Sequence, residues 1–259
     1  MATLDFDERA ARHIQRVYAT PDVVAQRLRV LELLDPRPGE RVLDVGSGPG
    51  FLLDAIADRT GPQGRVHGLD PAPAMHAIAA EVTGGRATVR LDEGDAAALP
   101  YAGDTFDAAV STQVYEYVAD LPRAFAELCR VVRPGGRVVL LDTDWDSVVW
   151  HAADPARHRR VMAAWDGHLV HPHLPRTLPG LLRRAGFRVT GRHLVPIFNP
   201  EYDPDTYSAL TIDTIAAYVA GRDGLTGADV DAWAADLRDR GEDYLFSLNR
   251  YCFVAERGS

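Results

Sequence analysis

Three glycines at alternate positions, Gly46, Gly48 and Gly50, follow the apolar run Val42-Leu43-Asp44-Val45. Glycine there lets the backbone turn sharply and pass close to a ligand that a Cβ would strike. Two acids lie downstream, each past a further apolar run. Asp70 closes Arg65-Val66-His67-Gly68-Leu69, the position from which a carboxylate accepts from both hydroxyls of a ribose. Asp95 follows Ala87-Thr88-Val89-Arg90-Leu91 and Glu93-Gly94; an acid there accepts from an adenine amino group while the N–H of Ala96 donates to a ring nitrogen. The set predicts a site for a nucleoside-bearing cofactor. A dinucleotide fold rarely needs the second acid, and its G-x-G-x-x-G fingerprint requires glycine where Phe51 stands.

Such residues work only if a sheet brings them to one edge. Strand and helix signals alternate from Arg41 to Arg192, which predicts a doubly wound α/β fold, a Rossmann-like and mostly parallel sheet with helices on both faces. Strands are expected near 41–46, 65–69, 87–92, 106–112, 136–142 and 187–198, with a last one at 244–254. Helices are expected over Ala74 to Val82 and Leu121 to Val131, the latter stopped by Pro134-Gly135-Gly136. Three segments exceed this minimum: an N-terminal helical arm from Phe6 to Leu34, a stretch from Asp142 to Pro175 rich in Trp and His, and Asn199 to Asp243 with amphipathic patterns at Pro204 to Ala220 and Gly227 to Arg240. The chain thus reads as one domain over 1–259: arm 1–38, cofactor-binding core 39–142, insertions 143–175 and 199–243 as a substrate lid, and a last strand 244–257. Ligands of open α/β sheets bind outside the carboxyl ends of the strands, so the three surplus segments are expected to roof an apolar pocket there.

The glycine loop, Asp70, Gly94-Asp95, Leu99-Pro100, Phe106-Asp107 and the turn Val132-Arg133-Pro134-Gly135-Gly136-Arg137 together resemble the class I S-adenosylmethionine-dependent methyltransferases, in the small-molecule branch that includes ubiquinone and menaquinone biosynthesis enzymes. The resemblance is strong over about residues 40 to 142. It implies a seven-stranded sheet whose last strand is antiparallel, with S-adenosylmethionine as cofactor and S-adenosylhomocysteine as product. By that resemblance Asp44 orients the methionine amino group, Gly46, Gly48 and Gly50 line methionine and ribose, Asp70 holds the ribose, Asp95 with Ala96 holds adenine, and Met75 packs on the adenine face. Ser47, Pro71 and Gly94 complete the cofactor-binding set. Gln113 is placed beneath the sulfonium, Tyr115 towards the donor methyl, and Tyr18 over the cofactor from the arm. Packing within a helix competes as an explanation for Met75, Tyr115 and Tyr117, as does a hydrophobic staple for Tyr18.

For an acceptor that must lose a proton, the candidate bases are His168, His171, His173 and Asp144. The histidines do not read as a metal site, because His171-Pro172-His173 is held extended and helical zinc pairs need i, i+4 spacing and a third ligand. An Asn/Asp-Pro-Pro-aromatic tetrad, carried by enzymes that methylate base amines, is absent after the fourth strand. That absence points to a free small molecule.

Composition narrows the classes further. The formal charge is −9, against a duplex nucleic-acid partner. All 28 basic residues are arginine, so there is no lysine for a Schiff base or a Walker phosphate loop. The acidic N-terminus is unlike a signal peptide and no 18-residue apolar run occurs, which with two isolated cysteines predicts a cytoplasmic protein without membrane insertion. A homodimer stays open as an alternative to a monomer. The expected function is methyl transfer from S-adenosylmethionine to O, N or C of a small molecule, in secondary or cofactor metabolism such as natural product biosynthesis. Its rivals are a nicotinamide-dependent oxidoreductase and a module that uses the cofactor without methyl transfer.

Overall fold

A computed structural model describes residues 7–258. Residues 1–6, with Asp5 of the acidic start and the opening of the arm at Phe6, lie outside the described residues. The arm forms two helices, α1 (Glu8–Tyr18) and α2 (Pro21–Leu34). Asp7 caps α1 by accepting from the Ala10 N–H at 2.8 Å, and Pro21 opens α2 where its missing N–H costs nothing. Then follow β1 (Arg41–Val45), α3 (Phe51–Thr60), β2 (Arg65–Asp70), α4 (Pro73–Val82), β3 (Val89–Glu93), β4 (Phe106–Thr112), α5 (Leu121–Val131) and β5 (Val132–Thr143). The remainder is β6 (Val149–Trp150), α6 (Pro155–Asp166), α7 (Leu178–Arg184), β7 (Phe187–Asn199), α8 (Tyr207–Val219), α9 (Gly227–Arg238) and β8 (Phe246–Arg257).

The strands form one mixed sheet. β3, β2, β1, β4 and β5 run parallel in that order, and β8 adds antiparallel to β5. β7 pairs along the other edge of β8. An eighth strand beyond the expected seven, β6, pairs its two residues with Phe246 and Ser247. The Pro134-Gly135-Gly136 turn is absorbed into β5: pairing with β4 jumps from Phe106↔Val132 to Ala108↔Arg137, and Gly135 takes φ +72°. The strand therefore starts four residues before its expected position.

Burial explains the layers. β1 and β4 are buried on both faces, as parallel strands covered by helices must be. One face packs α2 and α3 through Leu31, Leu34, Leu53 and Ile56; the other packs α5 and α7 through Phe125, Leu128 and Leu182. A separate apolar cluster joins the two insertions to the arm through Trp145, Trp165, Tyr207, Ile215, Trp233, Val17 and Val23. This roof is a packed core in its own right.

Candidate functional site

The glycines occupy the turn from β1 to α3, and each is required for a different reason. Gly46 (φ +72°) could not carry a Cβ, which would lie 2.1 Å from Cγ2 of Val114; at Gly50 (φ +83°) it would lie 2.9 Å from the backbone of Ala79. At Gly48 (φ +51°) the only neighbour within 4 Å would be the Tyr18 ring, so this glycine keeps the loop open to a cavity. That cavity, about 680 Å³, lies at the carboxyl ends of the parallel strands. Its size suits a small-molecule or cofactor site.

The β2 and β3 ends face it. Asp70 is 8 % exposed and accepts one backbone N–H on each oxygen, from Gly48 at 2.9 Å and Ala72 at 2.9 Å. Burial raises its pKa and these two bonds work against the rise. The carboxylate is held in one orientation with a lone pair of each oxygen to spare. Asp95 is exposed, accepts from the Ala97 N–H at 2.7 Å, and shares the lining with Gly94, Ala96, Pro71 and Met75. Tyr18 and Gln113 close the other side. Gln113 is held at φ +59° by donation of its N–H to Leu141 O at 2.8 Å, while its Oε1 accepts from Thr143 Oγ1 at 2.5 Å. Its Nε2 is buried without a partner.

A narrow recess of about 40 Å³ shares Tyr18, Gly46, Pro49, Thr112 and Gln113 with the cavity, and Asp44 and Ser47 line it. Asp44 is fully buried with Oδ1 unpartnered, and burial next to Asp70 pushes its pKa up to about 8. Of the residues expected to hold a cofactor, the structure brings all but Gly50 to the cavity or the recess. Gly50 instead seats the loop on α4.

The expected bases lie elsewhere. His168 is 2 % exposed, stacks on Trp165 with ring centroids 3.5 Å apart, and contacts Trp165 O through Nδ1; burial pulls its pKa down to about 4. His171 Nε2 is tied to Val118 O at 3.1 Å. Asp144 receives Arg176 on both oxygens, at 2.7 and 2.9 Å, with His173 Nδ1 at 3.2 Å. Asp146 joins them, so Asp144, Asp146 and His173 group their ligand-type atoms within 4.8 Å around a guanidinium that donates to both acids. None of these residues lines the cavity or the recess. Tyr115 is a further correction: its ring stacks on Phe125 at 4.5 Å and its hydroxyl is sealed without a partner. Tyr117 lines the cavity in its place, because Tyr115–Tyr117 form a 3₁₀ turn that points the two rings apart.

The insertions contribute no residue to either lining. They brace the wall from behind: the Trp145 Nε1–H donates to Glu116 at 3.2 Å, beside Tyr117. Sequence reasoning also missed Arg250 and Gln26, which line the recess, and the buried acids Glu116 and Asp142. Glu116 has its pKa pushed up to about 7 by burial, and Asp142 is raised well above the carboxylate range by burial and by Glu116. For Asp142 and Arg250 the available signal was a charged residue inside an otherwise apolar strand; Gln26 in α2 and Glu116 in the 3₁₀ turn carry none.

A family model described as a methyltransferase domain matches residues 43–140, the span that builds this loop and sheet. The chain is 33 % identical to a 2-phytyl-1,4-naphtoquinone methyltransferase of Thermosynechococcus vestitus over 61 % of this chain and 76 % of that one. It belongs to the class I S-adenosylmethionine-dependent methyltransferase family. A nocamycin O-methyltransferase of Saccharothrix syringae is 41 % identical over 43 % of this chain and 41 % of its own length, and an uncharacterized 37.1 kDa transposon protein of Streptomyces fradiae is 35 % identical over 74 % and 56 %. The chain therefore spans only about half the length of these two relatives. Among solved structures, a [4+2]-cyclase, SpnF, superposes with TM-score 0.60 and 25 % identity over 91 % of this chain and 81 % of that one. A Bacillus halodurans protein described as a putative methyltransferase gives TM-score 0.64 at 16 % identity, over 91 % of this chain and all of its own, a likeness of fold alone.

Proposed function

We propose that this chain transfers the methyl group of S-adenosylmethionine to an O, N or C atom of a small organic molecule. The observation that carries the reading is Asp70 and Asp95 on one cavity, with the open Gly48 loop of β1 beside the strand that presents Asp70. The unpartnered Asp44 Oδ1 and Gln113 Nε2 fit the same cofactor, since buried polar atoms without partners are costly unless a ligand or water satisfies them. Bound there, S-adenosylmethionine supplies a methyl carbon made electrophilic by positive sulfur. Asp70 would hold the ribose, Asp95 and Ala96 the adenine, and Asp44 the amino group. Gly46, Ser47, Gly48, Pro71, Met75 and Gly94 shape the surrounding wall.

The protein's part in the transfer is alignment and exclusion of water. Tyr18 and Tyr117 carry it out: burial raises both phenols, Tyr18 to about 12, so they stay neutral beside a cation and offer oxygen lone pairs and π faces. No histidine lines the cavity, which favours an acceptor already nucleophilic or one whose proton leaves to solvent. Ile14, Val114 and Val118 give the cavity an apolar wall suited to an organic acceptor, and two relatives named above are methyltransferases named for nocamycin and for 2-phytyl-1,4-naphtoquinone. A cytoplasmic setting in natural product or cofactor metabolism fits two free thiols, Cys129 and Cys252. Among the described residues no helix is long and apolar enough to cross a membrane.

Calorimetry with S-adenosylmethionine, S-adenosylhomocysteine, NAD and NADP tests the cofactor. Heat from the first two alone is expected; nicotinamide binding without S-adenosylhomocysteine binding would overturn the assignment. Mass spectrometry of ligands retained through purification, then of products formed from them, separates methyl transfer from use of the cofactor without transfer.

A further inference from the structure

Five large apolar side chains stand exposed among the described residues, and four of them, Val149, Leu194, Phe198 and Leu245, belong to one corner of the sheet. Val149 of β6 pairs with Ser247 of β8, which pairs in turn with Phe198 of β7, so these three share a row on one face. The next rows on that face are Asn249 with Pro196 and Tyr251 with Leu194. Leu245 stands two residues before Ser247, where its carbonyl accepts from the His151 N–H and carries the β6 pairing one step further. The opposite face of the same strands is closed by the roof through Trp150, Ile197, Phe246 and Leu248. On the open face α7 packs at the other end of β7, against Phe187.

A contiguous apolar face left to water marks a contact with another molecule. The edge of β7 is blunted against further strands, since Pro196 has no N–H to offer and the pairing register slips between Val189 and Gly191. The face, and not the edge, is therefore what docks. The charges around it say on what. One row beyond Leu194, opposite Phe253, Arg192 is exposed without an ion pair among the described residues. Past the other end of the apolar rows, Glu201 and Glu242 are exposed and equally unpaired. The patch is thus positive at one end and negative at the other, with its centre at Pro196 and Asn249. Half a turn about that centre lays Phe198 on the partner's Leu194 and Arg192 beside the partner's Glu201. We propose that this face joins two copies of the chain about a two-fold axis over Pro196 and Asn249. Such a contact matches a surface to itself and closes at the dimer. None of its residues lines the cavity or the recess, so it stands apart from the cofactor reading.

Sedimentation equilibrium of the full chain up to about 100 μM should give twice the chain mass, within the affinity range of interfaces of ordinary size. Phe198→Asp is expected to weaken the association about tenfold or more, with the circular-dichroism spectrum unchanged. Arg192→Glu and Glu201→Arg should each weaken it about threefold by setting like charges together, and the double variant should recover most of that loss. If Phe198→Asp does not fold, the two charge variants, both at exposed positions, carry the test. A wild-type chain that stays monomeric would leave the face to a different partner. A dimer that survives Phe198→Asp would lie elsewhere on the molecule, and a double variant no better than the single ones would remove the two-fold register; each of these results overturns the proposal.

Discussion

Asp70 and Asp142 are the same residue type at the same kind of place, the carboxyl end of a parallel strand, and they meet opposite fates. Asp70 faces the cavity with each oxygen fixed by a backbone N–H. Asp142 lies three strands away, 1 % exposed, and the backbone N–H groups of Val114 and Glu116 work against the rise that burial and Glu116 give its pKa. Backbone N–H groups face both acids, from the turns after β1 and β2 at Asp70 and from the turn after β4 at Asp142; what differs is that the first site opens on a cavity and the second is sealed. An acid at a sheet edge becomes a ligand group when its loop orients it and leaves it open, and a protonated core group when the loop seals it.

The largest expected effect follows from the open acid. Asp70→Ala should weaken S-adenosylhomocysteine binding by about 2 to 4 kcal/mol, whereas Asp142→Asn should change it by less than about 0.5 kcal/mol. Calorimetry on both variants would break the comparison if the two losses were equal. The sealed acids should declare themselves through pH. Glu116 titrates near 4.5 when free and is raised to about 7 in the fold, so the stability linked to it is fully present below pH 4.5 and is lost as pH rises towards 7. Urea unfolding at pH 5 and pH 8 should show Glu116→Gln losing about 2 to 3 kcal/mol less than wild type over that interval. An unchanged slope would mean that the carboxyl is solvated.

Smaller effects sharpen the difference between neighbours. Tyr115→Phe removes a hydroxyl that has no partner and should shift stability by less than about 1 kcal/mol, upward or not at all. Tyr117→Phe should instead lower turnover on an identified acceptor, with thermal unfolding unchanged. Smallest is the cluster around Asp144. Asp144→Asn and His173→Ala should leave S-adenosylhomocysteine affinity within about twofold, because neither residue lines the cavity or the recess. A strong loss of turnover in either would restore them as proton acceptors.

What could be read in the sequence was what lies close together in it. The glycine loop and Asp70 are each set by a strand running straight into its own turn, so order and spacing sufficed. Arg250 comes to the recess from the far end of the chain and rests on Thr143 and Gln26; no local pattern marks such a meeting. Tyr115 and Tyr117 show a subtler limit. Both are aromatic and two residues apart, and only the tight turn decides which ring sees the cavity. The histidine-rich stretch misled for another reason: Pro172 O accepts from Trp145 N–H at 3.1 Å, which fixes the segment as a strap along the outside of β5. The insertions were expected as a lid because their aromatics were surplus to the sheet, but those rings found one another first.

The position of β8 also constrains how the molecule is made. It is the last described strand in the chain, yet it sits between β5 and β7 and is the sole pairing partner of β7. On the ribosome β5 is complete at Thr143 long before Phe246 appears, so a nascent chain must carry an open sheet edge through the synthesis of both insertions. Closing that edge and delivering Arg250 to the recess are one event. The growing protein has no finished recess to offer until its sheet is shut, and that order keeps a half-made chain from holding a ligand there.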